Sequence, residues 1–379
     1  MIYLDNAATS WPKPDPVKEE MLNCLTCYCA NPGRSGHSMA YETEKMIFKC
    51  GEKLCELFGL DNPANIIFTH NATHALNIVI KGFLDKNKHA VVTSMEHNSV
   101  LRPVAASGAD YDVVYADKSG YVDARDIEKK IKNNTALIIC TLSSNVCGSV
   151  QPFEKIATVA RKHGIPFLLD ASQGAGVIDV NMKKSKIDFL AAPGHKSLLG
   201  PTGTGVLCVN SRILPDTITE GGTGSESKLL SQPTILPDRY ESGTVNVVGI
   251  AGLYKGISYI LQRGIKEIEE YENSLVINLV DNISCIHGVR LVGYNGLKRR
   301  TPALSVVFPN TDSLTAANIL NLEHNIAVRA GFHCAYTAHC TLGTEKTGTV
   351  RISPGVFNTL EDVDAVSMAI KQIALQNRR

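Results

Sequence analysis

Pro166-Phe167-Leu168-Leu169-Asp170 and Phe189-Leu190-Ala191-Ala192-Pro193-Gly194-His195-Lys196 decide the fold. Each is an apolar, strand-like run that ends on polar residues, and Lys196 lies 26 positions after Asp170 (196 − 170). Strands of this kind, buried on both faces, belong to parallel sheets. A lysine at one strand end and an aspartate at a neighbouring one meet the needs of pyridoxal phosphate chemistry. The lysine amine condenses with the cofactor aldehyde, and the aspartate keeps the pyridine nitrogen protonated so that the ring withdraws electrons. Taken alone, the pair also fits a surface lysine and a turn aspartate.

The surrounding chain repeats the pattern. Between about residues 60 and 210, Ile66-Ile67-Phe68, Ala90-Val91-Val92-Thr93 and Ala136-Leu137-Ile138-Ile139-Cys140 read as further strands. Thr73 reads as the cap of a helix with apolar positions Leu76, Val79, Ile80 and Phe83. A second helix runs from Phe153 to His163 and stops at Gly164. Strands alternating with helices predict an α/β fold with a mostly parallel, doubly wound sheet. Right-handed crossovers then place the strand C-termini along one edge. Residues 214–249, rich in Gly, Ser, Thr and Pro, read as loops. Helices are expected over 249–263, 266–282, 313–323 and 361–376, with a strand over Ala303–Phe308. We expect a large domain over 15–255 and a smaller α+β domain formed by 1–14 with 256–379. There is no internal repeat and no low-complexity segment.

Composition excludes several classes. Lys and Arg number 38 against 37 Asp and Glu, so the net charge of +1 gives no electrostatic case for nucleic acid or an anionic membrane. No apolar run approaches the roughly 18 residues of a membrane-spanning helix. Met1-Ile2-Tyr3-Leu4-Asp5-Asn6 lacks the basic-then-apolar pattern of a signal peptide. A cytoplasmic location follows, where the 11 cysteines are expected as thiols. Cys24, Cys27 and Cys29, with Cys50 and Cys55, read as small buried hydrophobes on helices and not as a metal set. His333, Cys334, His339 and Cys340 have the chemistry of zinc ligands, but no metal is assigned.

In open α/β sheets, ligands bind beyond the carboxyl ends of the strands. Five features fall there: Glu96-His97, Asn145, Asp170 with Gln173, His195-Lys196, and Thr73 at a helix start suited to a phosphate. Gly194-His195-Lys196-Ser197 is not a P-loop ending, because histidine separates Gly from Lys. Gly203-Thr204-Gly205 is followed by Cys208 and not by the third glycine of a dinucleotide fingerprint.

With these residues in order, the chain resembles class V aminotransferase-fold enzymes, in particular the cysteine desulfurase and selenocysteine lyase group. The resemblance runs from Tyr3-Leu4-Asp5-Asn6-Ala7-Ala8-Thr9 to the C-terminal helix. It is carried by Met95-Glu96-His97, Ser144-Asn145-Val146, Asp170-Ala171-Ser172-Gln173, Gly194-His195-Lys196 and Glu241-Ser242-Gly243-Thr244. Arg329-Ala330-Gly331-Phe332-His333-Cys334-Ala335 and Val350-Arg351-Ile352-Ser353 complete it. It implies the fold type I of pyridoxal phosphate-dependent transferases. It further implies that Lys196 holds the cofactor and moves the Cα proton, that Asp170 pairs with the pyridine nitrogen and that His97 stacks on the ring. Gln173 and Asn145 contact the ring oxygen and nearby atoms. Ala72 through its amide, Thr73 and His195 bind the phosphate, joined by Thr244 of a second subunit, which implies a homodimer with shared sites. Arg351 clamps the substrate carboxylate, a task suited to a two-pronged cation. Asn6 and His37, the latter in Arg34-Ser35-Gly36-His37, line the substrate side with Arg329.

Cys334 sits where this group carries its catalytic thiol. The implied reaction takes L-cysteine to L-alanine and leaves a persulfide on Cys334, which passes to a reductant or an acceptor protein. A selenocysteine lyase acting on L-selenocysteine uses the same residues, so the two remain open. Another class V aminotransferase or lyase with an incidental Cys334, or a non-catalytic sulfur or metal carrier, are the remaining alternatives. A thiolate at Cys334 is favoured by positive charge such as Arg329. Three positions depart from the pattern: Pro193 replaces a hydroxyl residue, Ala72 a common Thr, and Val245 a common Pro. The loop expected from Cys334 to Val350 is short, which resembles the family's second group, whose thiol lies close to the cofactor and often needs a partner to accept sulfur. Cys147 and Cys340 are extra thiols expected near the site, as sulfur relays or as variable residues.

Overall fold

The run ending at Asp170 is the central strand of a seven-stranded sheet. The computed structural model describes residues 1–33, 36–296 and 298–376. After a short β1 (Ile2–Tyr3), the sheet is built from β2 (Ile66–Thr69), β3 (His89–Thr93), β4 (Asp110–Val114) and β5 (Thr135–Thr141). It is completed by β6 (Phe167–Asp170), β7 (Phe189–Pro193) and β8 (Gly205–Val209), in the order β2-β8-β7-β6-β5-β3-β4. The β4–β3–β5–β6–β7 pairings are parallel, and β8 runs antiparallel to both β7 and β2. The expected mostly parallel sheet is therefore present, with one reversed strand. Asp170 pairs with Thr141 on one side and Ala191 on the other, which fixes it in the row of strand ends next to the Lys196 turn.

Both faces of the sheet are covered, which is why its strands read as continuous apolar runs. The helices that follow in chain order are α1 (Asp15–Asn23), α2 (Ser38–Phe58), α3 (Ala72–Phe83), α4 (Asn98–Ala106), α5 (Ala124–Lys129) and α6 (Phe153–Lys162). They continue with α7 (Met182–Ser185), α8 (Val247–Arg263) and α9 (Ile265–Ile283). Leu169, Ile138 and Val91 point to one side and pack with Phe58, Ile156 and Ile257 of α2, α6 and α8. Their neighbours Leu168, Ile139 and Val92 point to the other side, against Leu76, Val79 and Val104 of α3 and α4. Each such fully buried side chain contributes about 1.5–3 kcal/mol relative to exposure.

The remaining strands are β9 (Arg290–Val292), β10 (Leu304–Val307), β11 (Ile326–Ala327), β12 (Arg329–Gly331) and β13 (Thr349–Ile352). They alternate with α10 (Ser313–His324), α11 (Tyr336–Leu342) and α12 (Leu360–Gln376). β12, β13, β10 and β9 form an antiparallel sheet in that order. Its core joins Leu304, Val306 and Ile352 to Leu275 and Leu279 of α9, Leu320 of α10 and Ile370 of α12. β1 pairs in parallel with β11, Ile2 opposite Ile326.

Several expectations change. Asn71, not Thr73, caps α3: its Oδ1 accepts from His74 N at 2.9 Å, and Thr73 lies inside the first turn. The helix expected to bury the cysteine cluster ends at Asn23 and gives way to a π turn over Cys24–Tyr28. That change of periodicity leaves Cys24 buried but Cys27 and Cys29 exposed, whereas Cys50 and Cys55 are buried as expected. All 11 cysteines are free. The segment after Cys334 is not a bare loop, because α11 occupies its first part. Among the described residues no helix is long and apolar enough to cross a membrane.

Candidate active site

A cleft of about 170 Å³ opens at the C-terminal ends of the parallel strands. The turn after β3 brings His97, the turn after β5 brings Asn145, β6 ends in Asp170 ahead of Gln173, and β7 runs through Pro193 to His195 and Lys196. The start of α3 closes one end with Ala72 and Thr73. Eight of the nine residues expected around a cofactor thus line one cavity. Asn71, Ser99 and Thr141, which lie outside the sequence motifs, also line it. Asn71 announces itself as an Asx residue just before a helical pattern. A larger open groove of about 1030 Å³ is lined by none of the residues expected in the site.

The cleft has two chemically distinct ends. At one, the first amides of α3 have no intrahelical acceptors, an arrangement that favours an anion. Thr73 Oγ1 lies 2.8 Å from Ser99 Oγ. His195 Nδ1 is buried there with no hydrogen-bond partner, and burial, aided by Lys196 and Lys13, lowers its pKa to about 4, so the ring is neutral. At the other end lies Asp170, 1% exposed, whose Oδ1 accepts from Ser172 N at 2.9 Å. Lys196, in the same cleft, carries an amine held down to about 8 by burial and by the positive charge of Arg351 and Arg329, against the opposing pull of Asp170.

His97 caps α4: its Nδ1 accepts from Ser99 N at 3.0 Å. Burial lowers its pKa to about 4 despite the nearby Asp170 charge. The preceding residue, Glu96, is wholly buried, and its Oε1 accepts from Thr93 Oγ1 at 2.5 Å and Thr141 N at 2.9 Å. Burial pushes this carboxyl up to about 8, so it is held as the neutral acid that ties the end of β3 to β5. Gln173 Nε2 donates to Ala7 O at 2.8 Å, and Asn145 Nδ2 donates to His333 O at 2.6 Å.

The second sheet supplies the thiol and the arginines. Arg351 on β13 is 1% exposed and faces Arg329 across the β12–β13 ladder. Its Nη2 donates to Asp5 Oδ1 at 2.8 Å and its Nη1 to Asn145 O at 2.9 Å, while Nε has no partner. The Asp5 pairing joins residues 346 apart in the chain, beyond the reach of any local pattern. Cys334 is exposed and sits 4.0 Å from Arg329 Nη2. His333 and Cys334 have φ of 49° and 58°, two successive non-glycine residues in the left-handed region. Such residues cost of order 1–3 kcal/mol each and persist where the surroundings fix them. Here the Cys334 carbonyl accepts from Asn98 N at 2.8 Å.

Other expected site residues lie elsewhere in this chain. Asn6 donates through Nδ2 to Ser353 O and Asn358 Oδ1, both at 3.1 Å, and lines an adjacent cavity that shares Gln173 with the cleft. His37 is exposed and caps α2, accepting from Ala40 N at 3.3 Å; Arg34 and Ser35 lie outside the described residues. Thr244 is exposed in a separate groove with His70, His74 and Glu241. Cys147 is buried 3.4 Å from Ser149 Oγ, and Cys340 is exposed on α11. His333 and His339 engage the hydroxyls of Thr349 and Thr344 at 2.9 and 2.7 Å. Among the described residues no group of three or more His, Cys, Asp or Glu could hold a metal.

Comparison with known proteins places this geometry. A probable cysteine desulfurase of Methanothermobacter thermautotrophicus is 33% identical over 384 residues, covering 98% of this chain and 94% of the relative. One from Pyrococcus abyssi is 32% identical over 387 residues, with 98% and 94% covered. The apo structure of a cysteine desulfurase from Thermococcus onnurineus superposes with a TM-score of 0.92 at 33% identity, covering 99% of this chain and 95% of that one. A cysteine desulfurase structure from Escherichia coli gives 0.86 at 27% identity, with 99% and 94% covered. The aminotransferase class-V family model matches residues 2–366, a span that takes in both sheets and every residue of the cleft, and the chain therefore belongs to that family.

Proposed function

We propose that this protein is a pyridoxal phosphate-dependent cysteine desulfurase that converts L-cysteine to L-alanine and leaves the sulfur on Cys334. The observation that carries the reading is the single cleft in which Lys196, Asp170, His97 and His195 converge at the strand ends. The residues present fit the cofactor. Asp170 is a buried carboxylate for the ring nitrogen, His195 Nδ1 is a buried polar atom without a partner, and the α3 amides face an anion site. The names of the relatives support the same reading.

When bound, pyridoxal phosphate supplies an electron sink for the charge that develops at the substrate Cα. Lys196 holds the cofactor and then, as a free amine favoured by its lowered pKa, takes and returns the Cα proton. Neutral His97 would lie against the ring face. Arg351 offers its unpartnered Nε to the substrate carboxylate. The Cys334 thiolate, with Arg329 beside it, attacks the substrate sulfur: the carbon–sulfur bond breaks, a sulfur–sulfur bond forms, and the carbon fragment is protonated to alanine. Atoms balance without an external oxidant, since cysteine and a thiol give alanine and a persulfide.

The exposure of Cys334 supports onward transfer to a protein or small-molecule acceptor. The placement of Thr244 in a separate groove, outside its own cleft, supports a homodimer in which it serves the second copy. A cofactor domain over 15–255 and a smaller domain of 1–14 with 256–379 is supported by two cores, one around each large sheet, although Ile257 and Ile260 of α8 and Ile268 of α9 pack in the first. Eleven free cysteines suit a reducing, cytoplasmic setting.

The test is alanine release from L-cysteine, run beside L-selenocysteine, with mass mapping of the sulfur-bearing peptide. Wild type releases alanine and carries the extra sulfur on Cys334, and Cys334→Ala loses both while keeping the bound cofactor. Full alanine release from L-cysteine by Cys334→Ala sinks the assignment.

A further inference from the structure

Lys13 is a cation without a carboxylate. Its Nζ donates to Ser10 Oγ at 2.6 Å and to the main-chain carbonyl of His195 at 2.7 Å. Burial alone brings its amine down to about 8, with no acidic group acting on it. The same carbonyl also accepts from Ser10 N and Thr9 Oγ1, each at 3.0 Å, while Ser10 Oγ donates to the Lys196 carbonyl at 2.8 Å. Residues 9–13 thus grip the peptide unit that carries Lys196. A carbonyl has two lone pairs, so a charged third donor is more than the peptide needs for hydrogen bonding.

A half-buried ammonium with no carboxylate partner loses part of its hydration, a cost that an anion arriving with a ligand offsets. His195 lines the cleft together with Ala72 and Thr73 of the α3 start, and the Lys13 charge acts on its ring. Pro193, which lines the same cavity, contributes no donor. We propose that Lys13 is a positioning residue for the phosphate end of the cleft. It fixes the His195–Lys196 peptide and places a positive charge behind His195 that favours a phosphate-bearing ligand over its dephosphorylated form. This rests on the cofactor reading above.

The test compares pyridoxal phosphate with pyridoxal, titrated into the full-length apo protein and read by absorbance. Lys13→Met weakens pyridoxal phosphate about tenfold and pyridoxal less than about twofold, as expected for loss of one screened charge near a phosphate. Lys13→Arg restores the preference. Ser10→Ala, which removes a hydrogen bond but no charge, leaves the ratio of the two affinities within about twofold of wild type. Equal weakening of both ligands by Lys13→Met reduces the residue to a structural prop and overturns the proposal. Wild-type affinity of Lys13→Met for both ligands likewise overturns the role of Lys13 while leaving the cofactor reading standing. Wild-type protein that binds neither aldehyde overturns the cofactor reading itself, and the proposal with it.

Discussion

The amine of Lys196 in the apo protein should titrate near 8. Burial is the main cause, Arg351 and Arg329 add to it, and Asp170 opposes it. With a pKa of about 8 in place of 10.5, the neutral fraction at pH 7 is about one in eleven instead of about one in three thousand, a gain of roughly 300-fold in reactive amine. Trace acetylation across about pH 6 to about pH 11, followed by digestion and quantification of the Lys196 peptide, measures the midpoint directly. Two variants supply the sign. Asp170→Asn removes the charge that raises the amine, so its midpoint moves below that of wild type. Arg329→Met removes a charge that lowers it, so its midpoint moves up. General loosening of the fold moves both variants upward, toward water. A wild-type midpoint above about 10, the range of an exposed lysine, or two variants shifting in the same direction, refutes the reasoning.

Three further outcomes follow from packing and pairing. Asn71→Ala removes the cap of α3 and should cost about 1 kcal/mol in urea unfolding; an unchanged midpoint contradicts the capping role. A Cβ on Gly205 meets the Asn71 carbonyl carbon at 2.5 Å. Gly205→Ala should therefore displace the start of α3 and cost about 1–3 kcal/mol, with weaker retention of cofactor read by gel filtration; wild-type stability and retention speak against it. Arg351→Met should raise the KM for L-cysteine by about 30-fold or more, the loss of one charge-assisted hydrogen-bond pair, with a smaller change in kcat. A wild-type KM would show that the carboxylate binds elsewhere.

The central strands were legible because a strand buried on both faces must be apolar at every position, as Leu168 and Leu169 are. Asp170 and Lys196 stood out as charges closing such runs. β4 was not legible: it is an edge strand whose Asp110 and Tyr111 face solvent, so its pattern is that of a loop. β8 escaped because it enters the sheet antiparallel, without the helix that marks a parallel crossover. The cap of α3 was placed two residues late because a Thr follows an Asn, and either chemistry serves a helix start. At Cys27 and Cys29 the helical register used to infer burial ends in a π turn. The Asp5–Arg351 pair and the neutral Glu96 depend on residues brought together from distant parts of the chain, which periodicity does not report.

The grip of residues 5–13 on the site sets an order of assembly. Asp5 finds Arg351, Asn6 and Ala7 find Ser353, and Ser10 finds Lys196. During synthesis at about 5–20 residues per second, the first of these segments waits on the order of tens of seconds before its last partners leave the ribosome. Until then the central sheet can fold with its strand-end edge uncovered. A chain cut short before residue 349 would keep Lys196 and Asp170 yet lack Arg351, the strand β13 that pairs with β12 beside the thiol, and the Ser353 partner of the strap. Completion of the cleft and its surrounding strap is therefore coupled to completion of the C-terminal strands, and fragments that retain Lys196 are left without a finished site.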